Sequence, residues 1–130
     1  MESNENNQLL AIIEELSGQR VQDCYQCGCC TAGCPIGEVM DPPPSKAIRL
    51  LQLGRVGELL SSDGIWVCAS CLVCGTRCPR NVDYARIAEA CRALILRSKK
   101  SVVDPDKVTE PDLQDIPQQA FIASFRKFSV

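Results

Sequence analysis

Histidine is absent from the 130 residues. That absence removes mixed Cys/His zinc sites, Rieske-type centres, haem held by an imidazole, and any acid–base or nucleophilic catalysis built on a histidine. No run approaches the roughly 18 consecutive apolar residues that suggest a membrane span. The formal net charge is only −2, which gives no electrostatic reason to expect a nucleic-acid partner. The opening MESNENNQ is polar and acidic, unlike a secretory signal or an Arg-rich transit peptide. No Gly-rich phosphate loop follows a strand pattern, and the carboxylates are scattered over helix faces as solvated surface charge. The sequence therefore offers no catalytic constellation, and no substrate site of its own is expected.

What the chain has in excess is cysteine, ten in all. In an exported chain such a count would indicate disulfides. With no export signal, and with Cys29 and Cys30 adjacent, thiolate-bound metal in a reducing cytoplasm is the expected state.

Eight of the ten form a repeat. CYQCGCCTAGCP places Cys24, Cys27, Cys30 and Cys34 before Pro35, and CASCLVCGTRCP places Cys68, Cys71, Cys74 and Cys78 before Pro79. Both read C-x2-C-x2-C-x3-C-P at a constant offset of 44 residues, and Cys29 aligns with Val73 as the odd one out. Three cysteines so spaced can wrap one cubane and leave its fourth ligand to come from elsewhere. In two-cluster ferredoxins the fourth cysteine of each run crosses to the other cluster. The expected ligand sets are therefore Cys24, Cys27, Cys30 and Cys78 for one [4Fe-4S] cluster, and Cys68, Cys71, Cys74 and Cys34 for the other. The bland alternative is structural zinc, whose CxxC pairs are usually further apart.

The segments around the runs read as helical. Leu9, Ile12, Ile13 and Leu16 recur at helical spacing, with Gly18 as a stop. Between the runs, Pro42–Pro44 introduces a stripe of Ala47, Ile48, Leu50 and Leu51 that ends at Gly54, and a short helix over Val56–Leu60 ends at SSDG. After the second run, Asn81 or Asp83 caps a long amphipathic helix. Its apolar face is Tyr84, Ile87, Ala88, Cys91, Leu94 and Ile95, and its polar face carries Arg86, Glu89, Arg92 and Arg97. Cys91 belongs to the apolar stripe and reads as core. Two divisions follow: a dicluster domain over 1–99, and an arm over 100–130. The arm begins extended and ends in a short helix with Phe121, Phe125 and Phe128 on one side, suited to its own domain or to a hydrophobic groove on a partner. Trp66 reads as packing or as a shield for the second cluster. Arg77, Arg80, Lys46 and Arg49 read as surface charge or as an offset to the reduced clusters.

The set CYQCGCCTAGCP, MDPPPSKAIRLLQLG and IWVCASCLVCGTRCP resembles the C subunit of heterodisulfide reductase over about residues 20 to 97. The likeness extends beyond the cysteines to Pro44, Ile48, Arg49, Gly54, Trp66 and Arg77. The helical spacing predicts an all-α fold with an extended C-terminal tail, and the resemblance implies that this fold is the α-helical ferredoxin binding two [4Fe-4S] clusters. It also implies single-electron transfer from a flavin and iron–sulfur protein, the A subunit, to a disulfide-reducing B subunit. In methanogens the disulfide is that of coenzymes M and B. A free two-cluster ferredoxin, or the iron–sulfur subunit of another flavin-linked oxidoreductase, is the alternative. Cys29 departs from the family pattern as a surplus thiol.

Overall fold

The computed structural model describes residues 2–97 and 108–125. Among the described residues all regular structure is helical. The chain divides into two units, Met1–Ser98 and Lys99–Val130.

The first unit begins with α1, Glu2–Ser17. Its apolar spacing starts only at Leu9, yet the helix extends to the second residue. Of its apolar stripe only Ile13 is fully buried, while Ile12 and Leu16 keep over a third of their surface exposed. A 3-10 turn, Val21–Asp23, leads into the first cysteine run. Within that run lies α2, Cys29–Ala32. The linker supplies α3, Pro44–Gln52, and α4, Val56–Leu60. Pro44 opens α3 at the position where a missing N–H costs nothing, and Pro44, Ala47, Ile48, Leu50 and Leu51 are buried as the spacing requires. Next come α5, Gly64–Val67, and α6, Val73–Arg77, which flank and enter the second run. The long helix α7, Tyr84–Arg97, follows. Asp83 is its cap: the Asp83 Oδ1 accepts from the Ala85 N–H at 2.9 Å.

The core runs from Ile13 of α1 through Ala47, Ile48 and Leu51 of α3 to Ile87, Ala88 and Cys91 of α7, with Val56, Leu59 and Ile65 closing it. Helix α1 packs on α7, and α2 on α6, so the two cysteine runs meet. Trp66 is half-buried against this core, which favours packing as its role.

In the second unit, α8 spans Glu110–Asp115 and α9 spans Gln118–Phe125. The segment read as an extended arm thus contains a helix, because Glu110, Pro111 and Asp112 are all favoured in a first helical turn. Phe121 and Phe125 fall in α9. Phe128, with Arg126 and Lys127, lies outside the described residues, as do residues 98–107 at the junction of the domain and the arm.

Candidate metal centre

The repeat in sequence is a repeat in conformation. At the same offset of 44 residues, Cys24 and Cys68 are half-buried, Cys27 and Cys71 exposed, Cys30 and Cys74 buried, and Cys34 and Cys78 half-buried. The backbone takes the same left-handed steps in both runs: Gln26 and Ser70 at φ 63 and 52, then Gly28 and Leu72 at φ 80 and 61. Three of these four residues are not glycine, and each such step costs roughly 1 kcal/mol or more. Alternating left- and right-handed steps turn successive amides into an anion-binding concavity, the device that many iron–sulfur sites use.

Each run is held by one side chain from the helix that follows it. The Gln52 amide on α3 donates to the carbonyls of Val21 at 2.9 Å and Cys24 at 2.7 Å, and its oxygen accepts from Gln26 Nε2 at 3.2 Å. The Arg92 guanidinium on α7 donates to the carbonyls of Ile65 at 2.9 Å and Cys68 at 3.0 Å, and to Ser70 Oγ at 2.9 Å. Neither role could be read from periodicity, which put Arg92 on the polar face of its helix.

Around the second run lies a cavity lined by Cys68, Cys71, Cys74 and, from the first run, Cys34. The other side chains on its wall are Ile36, Met40, Pro44, Ala69, Leu72, Val73, Ala85 and Tyr84. All are apolar except Tyr84, whose hydroxyl is buried and has no hydrogen-bond partner among the described residues. Four thiols, an apolar wall and one unpaired donor are the surroundings that a sulfur-rich anionic cluster requires. Among the described residues no three acidic or thiol groups converge on a single ion. A cubane differs in that its thiolates stand around a larger body.

Cys27 is drawn below its ordinary value, first by the backbone N–H of Cys29, and Cys29 is pushed up, first by its hydrogen bond with Cys27. The charge of Cys78 also acts on Cys29, so the last cysteine of the second run stands near the first run. Cys30 is raised by burial, and Cys74 is pushed up to about 11 for the same reason. Backbone N–H groups already meet two of the sulfurs: Gln26 N–H donates to Cys24 Sγ at 3.4 Å and Val82 N–H to Cys78 Sγ at 3.3 Å.

The basic residues divide in use. Arg77 lies against Gly33, and Arg80 Nε donates to the Asp23 carbonyl at 3.3 Å, so both bridge from the second run to the first. Arg49 donates to Gln52 Oε1 at 3.4 Å. Lys46 pairs with Asp41 at 3.5 Å on the surface, where such a pair contributes little.

Residues 20–82 match the family model of the 4Fe-4S dicluster domain. That segment is thus similar to a 4Fe-4S dicluster domain. The chain's cofactors are two [4Fe-4S] clusters. The chain is also similar to named relatives. One is the iron-sulfur C subunit of the CoB--CoM heterodisulfide reductase of Methanopyrus kandleri, 42% identical over 83 residues, covering 64% of this chain and 43% of the relative. Another is the C2 subunit of the H(2)/formate:CoB-CoM heterodisulfide,ferredoxin reductase of Methanococcus maripaludis, 39% identical over 89 residues, or 68% of this chain and 47% of the relative. A third is a protein of Archaeoglobus profundus described as like the C subunit of heterodisulfide reductase, 38% identical over 85 residues, or 65% and 45%. The chain spans about half the length of these relatives. No described helix is long and apolar enough to cross a membrane.

Proposed function

We propose that this chain is the electron-relaying iron–sulfur subunit of a heterodisulfide reductase-type complex in the cytoplasm. It takes single electrons from a flavin and iron–sulfur protein, the A subunit, and delivers them to a disulfide-reducing B subunit. One cluster is held by Cys24, Cys27, Cys30 and Cys78, the other by Cys68, Cys71, Cys74 and Cys34. The observation that carries this reading is Cys34, a first-run cysteine on the wall of the second run's cavity. Crossed ligation of that kind ties both clusters into one small body, which suits a relay.

When bound, each cluster supplies one-electron redox chemistry. The chain's residues do the rest. The thiolates hold the clusters, the left-handed backbone steps curve the runs around them, and Gln52 and Arg92 fix the two runs. Ile36, Met40 and Leu72 exclude water. The surplus thiol of Cys29, exposed at the start of α2, is not a ligand. Residues 1–99 form the dicluster domain, and the arm over 100–130 docks on a partner, with Ile122 exposed on α9 as an apolar contact.

Anaerobic purification of the tagged chain from its native source tests this. The expected result is co-elution with a flavoprotein and a second iron–sulfur protein, and about eight irons on this chain for its two clusters. A chain that elutes alone with a full iron complement is a free carrier and overturns the subunit reading. Deleting residues 117–130 is expected to leave the iron content intact and weaken co-elution.

A further inference from the structure

Tyr84 is 1% exposed, and its hydroxyl is the one buried side-chain oxygen or nitrogen without a hydrogen-bond partner among the described residues. Leaving a buried hydroxyl unpaired costs about 1–3 kcal/mol. A phenylalanine would fill the same space without that cost, so the oxygen calls for a partner. The residue opens α7, directly after the Asp83 cap, whose own N–H is held by Gln19 Oε1 at 2.8 Å. It is placed from both sides on the wall of the cavity that Cys34, Cys68, Cys71 and Cys74 line. Every other side chain on that wall is a thiol or apolar.

We propose that the Tyr84 hydroxyl donates a hydrogen bond to a sulfur of the cluster held by Cys68, Cys71, Cys74 and Cys34, and thereby raises that cluster's reduction potential. The proposal rests on the ligation stated under Proposed function. A tyrosine hydroxyl, with an ordinary pKa of about 10, is protonated at neutral pH and is free to donate. Reduction adds a negative charge to the acceptor, so the bond is stronger to the reduced form and favours it.

The test is a redox titration of the full, anaerobically reconstituted chain, followed by electron spin resonance. Tyr84→Phe is expected to keep the parent's iron content. The midpoint of one cluster should fall by up to about tenfold in its reduction constant, about 59 mV for one electron, with the other unmoved. 3-Fluorotyrosine, a stronger donor, incorporated in a Tyr25→Phe background that leaves Tyr84 as the sole tyrosine, is expected to move the same midpoint upward. Unmoved midpoints in both overturn the proposal, and a more heat-stable Tyr84→Phe with parental midpoints would mark the hydroxyl as a mere orphan. Failure of the ligation would appear elsewhere, as Cys34→Ser retaining both clusters.

Discussion

Gln52 and Arg92 are counterparts across the repeat. Gln52 holds the carbonyls of Val21 and Cys24, and Arg92 holds those of Ile65 and Cys68, each pair 44 residues from the other. Each clamp also reaches the residue in the first left-handed step of its run, Gln26 or Ser70. The strained steps persist because these side chains over-determine them.

Removing a clamp should loosen its own run first. Arg92→Ala is expected to cost about 2–3 kcal/mol, since charged donors are lost and carbonyls left unpaired, and Gln52→Ala about 1–2 kcal/mol. Arg92→Lys should recover little, because one ammonium cannot reproduce a fork that meets three acceptors. Chelator-driven iron loss, resolved by electron spin resonance, is the measurement. The Arg92 variant should release the second-run cluster first and the Gln52 variant the other. The same order of loss in both would contradict the pairing.

Single cysteine replacements check the register. Cys27→Ser, Cys34→Ser and Cys78→Ser are each expected to remove or convert one cluster, and Cys29→Ser neither. Cys34→Ser should disturb the same signal as Cys71→Ser, and Cys78→Ser the same signal as Cys27→Ser. Iron analysis with electron spin resonance of the reconstituted variants decides. If Cys29→Ser loses as much iron as Cys27→Ser, the alignment of Cys29 with Val73 fails.

Two glycines should differ in how much alanine costs them. A Cβ on Gly64 would lie 2.7 Å from the Asp41 carbonyl oxygen and 2.8 Å from the Pro42 nitrogen, and the Gly64 N–H donates to that carbonyl at 3.0 Å. Backbone has no rotamer to yield, so Gly64→Ala is expected to cost about 1–3 kcal/mol. The atoms nearest a Cβ on Gly33 all belong to the Arg77 side chain, which can move, so the loss there should stay below about 1 kcal/mol. Thermal unfolding of the two reconstituted variants compares them.

Cys91 gives stability a pH limit on the alkaline side. Burial pushes its thiol from 9.0 to about 12. A group whose pKa is raised on folding favours the folded state while it is protonated. Its contribution is therefore full below pH 9.0 and is lost as pH rises through about 12. Cys91→Ala is expected to lower stability near neutral pH by roughly 1 kcal/mol through the cavity it leaves. It should also flatten the alkaline loss. Denaturant midpoints taken across that range show whether the two curves converge.

The helices between and after the runs were legible because apolar spacing reports which face a helix buries. α3 and α7 bury their marked residues, with Leu94 and Ile95 only partly covered. The Asp83 cap was legible for a similar reason, since capping uses a side chain two residues from its target. The reach of α1 to Glu2 was not, because polar residues carry no periodic signal. Helix α8 was hidden by its prolines and acids, which serve a helix start as readily as a loop.

By itself the sequence determined the chemistry. The two four-cysteine runs, their common offset and the lack of histidine restrict the cofactor through local spacing alone, because three ligands per cluster lie within one short stretch of backbone. Tertiary structure alone decided which distant groups meet them. It turned Arg92 from a helix's polar face to two carbonyls, and set Tyr84, whose hydroxyl has no partner among the described residues, on the wall of the second run's cavity. Those contacts join residues far apart along the chain, and they come from how helices pack, which no local pattern encodes.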